Sequence, residues 1–178
     1  MEYADYAGLN GADNMGGLKS ILYFAPYNDF LLIKEFKTTT DPGDAVTIDG
    51  SHTFTSPAGF YSMYSTLDTA ELVAKITGER DSRGLEQELK FFVPGNNPVL
   101  AELMRKAKND TFIVLVEDIN STTGSPLVYQ LGIKGLPAEL FGEYSTGKLS
   151  SGKKGFEVTV KCFGNSMAYY EGTITLHA

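Results

Sequence analysis

Residues 147–153 read GKLSSGK, which supplies the glycines and the terminal lysine of a phosphate-binding loop. Such a loop works because backbone N–H groups at a helix N-terminus cradle phosphate oxygens, while a Ser or Thr after the lysine holds magnesium. Here Lys154 occupies that last position, and the segment opens an alternating run, Phe156–Phe163, rather than a helix. The spacing therefore reads as a turn between strands. The two histidines, His52 and His177, are 125 positions apart in the chain and neither sits beside a nucleophile-and-acid pattern that could orient an imidazole. Cys162 is the sole cysteine, so no internal disulfide and no CxxC metal site is expected; on the apolar side of its run it reads as a small buried hydrophobe. Paired carboxylates occur at Glu86/Glu88 and Asp41/Asp44. Glu86 and Glu88 would stand about 7 Å apart on one strand face, a separation that could suit glycoside chemistry. No tryptophan is present to stack a sugar, so a solvated strand face is the simpler reading.

Elements must position these groups, and most of them read as strands. With 178 residues the chain is long enough for one domain with a sizeable core. Its 19 glycines, 10 tyrosines and 11 phenylalanines lean towards β-structure with many turns. Runs 20–25 and 30–36 read as strands joined by the turn Pro26–Tyr27–Asn28–Asp29. Residues 37–59 read as a long projecting loop, carrying a small hairpin in which Asp49–Gly50 links 45–48 to 51–55. Runs 60–66, 70–77 and 85–93 follow. In the last two, Leu72, Ala74, Ile76, Leu85, Leu89 and Phe91 alternate with Glu71, Lys75, Glu86, Glu88 and Lys90, so the pair reads as a long hairpin with a charged face. Its apolar face is expected to meet the core or the helix.

One helix is expected at 98–108. Asn97 is a natural cap and Pro98 a natural first residue; Val99, Leu100, Leu103, Met104 and Ala107 share a face at helical spacing. Strands resume at 111–118, 127–133 and 138–144. The chain closes on an alternating run, 156–163, the turn Gly164–Asn165–Ser166 and a second run, 168–176, read together as a hairpin. Residues 1–17, small, polar and Gly-rich, read as an extended arm preceding one β-domain, 18–178. The acidic N-terminal stretch contains no signal-peptide core, and no apolar run approaches the length of a membrane helix.

The net charge of −7 opposes a protein that grips nucleic acid phosphates, but not one that lets nucleic acid slide past. A mainly β chain with an arm, a long loop and no catalytic constellation points to assembly rather than catalysis.

The order of these elements, with the motifs Gly155–Phe156–Glu157–Val158–Thr159–Val160 and Ala168–Tyr169–Tyr170–Glu171–Gly172–Thr173–Ile174, resembles the tail tube proteins of long-tailed bacteriophages and the inner-tube proteins of contractile injection systems. The resemblance implies two packed antiparallel sheets, a β-sandwich or barrel flanked by one α-helix. It implies a structural virion protein without enzymatic activity or cofactor, assembled in the host cytoplasm. Homohexameric rings of it would stack into a tube, contact other phage tail proteins, conduct DNA without sequence-specific binding and need no membrane. On this reading Glu71, Lys75, Glu86, Glu88 and Lys90 are candidates to line the lumen. Asp41, Asp44, Asp49, His52 and Phe54, on the long loop, are candidates for contacts between rings, and deleting 40–57 should spare the fold. The alternatives are another virion component, such as a tail terminator, baseplate or decoration protein, or a non-catalytic β-sandwich binding module.

Overall fold

The computed structural model describes residues 4–6, 8, 11 and 13–178. Its elements in chain order are β1 (Leu18–Pro26), β2 (Phe30–Leu32), β3 (Thr47–Ile48), β4 (Thr53–Phe54), β5 (Tyr61–Tyr64), β6 (Glu71–Thr77), β7 (Gly84–Pro94), α1 (Pro98–Ala107), β8 (Thr111–Asp118), β9 (Val128–Leu131), β10 (Ala138–Ser145), β11 (Gly155–Gly164) and β12 (Ala168–Tyr170). The protein is mainly β with a single α-helix among the described residues, as expected. One large sheet folds over into two layers, and β2 and β4 form a small sheet of their own.

The fold turns on β8. Its sequence, TFIVLVED, is nearly continuous in apolar residues, the signature of a strand buried on both faces. One edge of β8 pairs with β1. The other is shared: Val114–Glu117 pair with β9, and Thr111 and Phe112 pair with β10. Between β9 and β10, which run in the same direction along β8, the chain leaves the strand at Gly132, whose φ of +86° is in the left-handed region, and rejoins it at Ala138. A Cβ at Gly132 would lie 2.8 Å from both the Ala138 nitrogen and the Phe112 carbonyl oxygen, so no other residue fits without moving backbone. From that corner β10, β11, β7 and β6 run side by side as the second layer, each antiparallel to the next.

Two cores result. The first lies between the layers, where Leu22, Phe24, Val114 and Val116 meet Leu89, Phe91, Leu140, Val158 and Val160. Leu72, Leu89, Val160 and Leu140 stand in one register row across four strands. Helix α1 closes this core on the β10 side. Asn97 caps it by accepting the Val99 N–H at 2.9 Å, and Glu102 and Lys106 pair one turn apart at 3.0 Å. Glycine at 142 makes room, because a Cβ there would stand 2.5 Å from the Met104 sulfur. The second core lies on the other face of β8, where Ile113 and Leu115 meet Ala25, Ile33, Ile48, Phe60, Ala168 and Tyr170.

Several expectations are corrected. Runs 156–163 and 168–176 are not a hairpin. Both edges of β11 are taken by β10 and β7, and the turn after it carries the chain to the other layer, where β12 pairs with β9 and β3. Residues 45–48 and 51–55 do not pair with each other either: β3 joins β12 and β4 joins β2. The segment 37–59 is therefore not a projection. It lies against the second core and buries Thr47, Ile48 and His52. Run 30–36 shortens to a three-residue strand, with Phe36 making one isolated bridge to Ile48. Ile76 and Val99 are exposed, at 73% and 72%, because β6 is an edge strand whose end overhangs the core and Val99 lies on the solvent side of the first helical turn. The expected arm lies partly outside the described residues; residues 4–6, 8, 11 and 13–17 are exposed, with Met15 bonded to the Asn120 side chain.

Candidate functional site: a charged sheet face

The second layer turns one face to the first core and the other outward. Directly paired residues on neighbouring strands share a face, so the register builds the outer surface row by row. Glu71, Lys90, Thr159 and Phe141 form one row; Val73, Glu88, Lys161 and Glu139 form the next; Lys75, Glu86 and Phe163 form a third. Phe92, Glu157 and Glu143 continue it towards the other end. All five residues expected to share a polar face, Glu71, Lys75, Glu86, Glu88 and Lys90, are brought together here. The sequence reading missed Glu139, Glu143, Glu157 and Lys161. Their alternation in β10 and β11 was visible, but which strands lie beside the β6–β7 hairpin is a long-range fact that local patterning does not carry.

The electrostatics are uneven. Lys75 pairs with Glu86 at 3.2 Å, and Glu88 receives Lys90 at 2.6 Å and Lys161 at 3.7 Å. The Lys90 hydrogen bond is the main reason the Glu88 carboxyl titrates below its ordinary range, and the same contact raises the Lys90 ammonium. Glu71, Glu139, Glu143 and Glu157 enter no ion pair among the described residues. With Lys153 5.5 Å from the Phe92 ring centroid, six carboxylates thus face four ammonium groups, which leaves the surface with a net negative potential. Phe141, Phe163 and Val73 break the charge with half-exposed apolar surface. Glu86 and Glu88 lie on an open sheet face with lysines bound to them, not facing each other across a cleft.

The loop candidates divide. Asp41 and Asp49 are exposed, and Asp44 is half-buried, hydrogen-bonded by the Thr39 hydroxyl. His52 is corrected as a contact residue, because it is interior, whereas Phe54 is half-buried against the second core. Phe54 stacks within 4.5 Å of Phe30 and 5.1 Å of Phe60. His52 is 3% exposed. Its Nδ1 accepts the Lys34 backbone N–H at 3.0 Å, which leaves Nε2 to donate to Gln130 Oε1 at 2.9 Å. Its own backbone N–H reaches the Tyr170 hydroxyl at 3.2 Å, and that hydroxyl donates to the Thr173 carbonyl. Both ring nitrogens are thus satisfied only in the neutral tautomer, and burial holds the imidazole below its ordinary pKa. His177 instead lies over the Tyr61 ring, centroids 4.2 Å apart. Cys162 is buried on the first core, where burial pushes its thiol up to about 11. The GKLSSGK segment joins β10 to β11 and opens no helix.

Among the described residues no group of three or more His, Cys, Asp or Glu could hold a metal ion, and no helix is long and apolar enough to cross a membrane. No family model, no curated protein and no solved structure matches the chain.

Proposed function

We propose that this chain is a self-assembling structural subunit of a phage tail tube, a virion protein whose stacked hexameric rings conduct DNA. The observation that carries the reading is the four-stranded layer β10–β11–β7–β6, charged on its outer face and without a strand partner at either end. Among the described residues β6 has no neighbour on its outer side, and β10 has none beyond Glu139 on the side away from β11. Unpaired edges of this kind invite another chain. The layer has an even number of strands, so β6 and β10 run in opposite directions. Copies related by rotation can then join β6 of one to β10 of the next, antiparallel, which is the head-to-tail contact that closes a ring.

Such a ring would turn its charged faces to a common interior. Uncompensated carboxylates there would repel phosphate and keep DNA mobile. The exposed Asp41 and Asp49 remain available for contacts between rings, while the rest of their segment belongs to the second core. Sedimentation velocity of the full chain over a concentration series tests the assembly: species far larger than the 19.4 kDa monomer are expected, and a monomer at every concentration would refute the reading.

A further inference from the structure

The β10–β11 connection, residues 146–154, is a small hairpin at the end of the second layer. Lys148 and Ser151 exchange backbone hydrogen bonds at 2.9 and 3.2 Å, which puts Leu149 and Ser150 at the corners of a two-residue turn. Below the turn Gly147 and Gly152 lie against each other: a Cβ on Gly147 would stand 3.2 Å from the Gly152 carbonyl carbon. The base is tied down as well. The Gly147 N–H donates to the Ser145 hydroxyl at 3.2 Å, and the Gly95 N–H donates to the Lys154 carbonyl at 2.9 Å. The loop thus has a fixed shape before it meets any partner, and binding need not order it.

Its side chains have no role inside the chain. Leu149 at the tip is fully exposed. Lys148, Lys153 and Lys154 are exposed and enter no ion pair among the described residues. Lys148 flanks the tip, Lys154 stands at the base, and Lys153 leans back to within 5.5 Å of the Phe92 ring centroid. Residues 145–155 hold no carboxylate and no aromatic ring, on a chain of net charge −7. The nearest carboxylates in sequence, Glu143 and Glu157, belong to the outer sheet face behind the loop. At a strand rise near 3.3 Å per residue the tip stands roughly 10 Å clear of the strand ends. That is about one Debye length at 0.1 M salt, so the acidic body is largely screened at the tip.

A leucine and three lysines held out together select among partners. Nucleic acid would attract the lysines but offers nothing to the leucine, and the loop has no aromatic side chain on which a base could stack. A protein receptor must supply an apolar socket matched to one leucine. A bilayer interface needs no socket: it takes a convex apolar tip at the acyl boundary, while lysine stems run along apolar surface and their ammonium groups stay with lipid phosphates.

We propose that loop 146–154 is a peripheral membrane contact, in which Leu149 enters the interface of an anionic bilayer and Lys148, Lys153 and Lys154 meet its phosphates. The proposal goes beyond the tail-tube reading, which calls for no membrane, and does not rest on it. One shallow leucine and three lysines make a weak, reversible contact, and copies held in one particle would bind as a set.

The chain has no tryptophan, so Leu149→Trp puts a single indole at the tip. With vesicles of equal parts phosphatidylglycerol and phosphatidylcholine at low salt, its emission should shift to the blue and be quenched by lipids brominated in their acyl chains. With pure phosphatidylcholine neither change should occur. The wild type should cosediment with the anionic vesicles and be released by salt. Leu149→Asp should weaken that binding by about tenfold, and Lys148→Glu/Lys154→Glu should remove it. Both variants should keep the parent's circular dichroism and Tm, because the altered side chains are exposed. A wild type that ignores anionic vesicles, binding that both variants retain, or an indole that stays in water on bound protein would each overturn the proposal. Binding to duplex DNA instead of vesicles, lost in the lysine variant and kept by Leu149→Asp, would overturn it in favour of a nucleic-acid contact. A wild type that binds anionic vesicles through Leu149 yet sediments only as a monomer would support this proposal while refuting the tail-tube reading.

Discussion

The two cores are built by different rules. Around the first, every strand of the β10–β11–β7–β6 layer alternates, one face inward and one face in water, and register rows such as Leu72–Leu89–Val160–Leu140 fill the space between layers. Around the second, residues 30–60 contribute only short strands and scattered anchors: Ile33, the Thr47–Ile48 pair, His52 and Phe60 are buried between more exposed stretches. The first core is held by periodicity. The second is held by individual side chains and by hydrogen bonds that His52 accepts from the Lys34 backbone and Tyr170 donates to the Thr173 carbonyl. A segment can therefore be structurally indispensable without any pattern that announces it.

The largest expected effect breaks that comparison directly. Deleting 40–57 removes Ile48 and His52 from the second core, so the deleted protein should lose cooperative unfolding by calorimetry, contrary to the expectation drawn from sequence. A deletion variant that keeps the parent Tm would show that the segment is an appendage after all. Ile48→Ala, at a fully buried position, should cost about 2–5 kcal/mol in denaturant unfolding. Leu89→Ala, equally buried in the first core, should cost a similar amount. Hydrogen exchange sharpens the difference: Ile48→Ala should lower protection first in 30–60, and Leu89→Ala across the whole β10–β11–β7–β6 layer.

Gly132→Ala tests the corner between the layers. The left-handed backbone alone costs about 1–3 kcal/mol in a non-glycine residue, and the 2.8 Å approaches to Ala138 and Phe112 add to it. A Tm unchanged from the parent would mean that the corner is softer than its geometry implies.

His52 gives the second core a pH dependence on the acid side of neutrality. Its pKa is lowered in the fold by burial. The unfolded chain therefore binds the proton more readily, and the stability contributed by neutral His52 is complete above its ordinary value of 6.5 and is lost as pH falls below it. Acid-induced loss of hydrogen-exchange protection in 30–60 should begin in that range, before carboxylates titrate, and His52→Gln should abolish the step. The smallest effect on folding is expected from Glu86→Lys/Glu88→Lys. Exposed ion pairs contribute little to stability, so Tm should barely move, while under the proposed tail-tube role DNA ejection from assembled particles should slow.

What was legible follows the same division. The β6–β7 hairpin, α1 with its Asn97 cap, β8 and the charged row from Glu71 to Lys90 could be read because each has one wet and one dry side, a continuous apolar run, or a cap of specific chemistry. The β11–β12 hairpin misled because Gly164–Asn165–Ser166 is good turn chemistry whether the chain turns back beside itself or crosses to another layer. Asp49–Gly50 misled in the same way: Gly50 does adopt a φ of +85°, but the flanking residues pair with β12 and β2. Glu139, Glu143, Glu157 and Lys161 joined the charged face through pairings between strands distant in sequence, and His52 became interior through Gln130 and Tyr170, 78 and 118 positions away.

The orientation of the β10–β11–β7–β6 layer in an assembled particle tests the central claim most directly. Electron microscopy of the purified full chain should show rings stacked into tubes, with Glu86 and Glu88 of every subunit facing the lumen. Particles with those two residues on the outer wall, or a field of isolated monomers at high concentration, would contradict it.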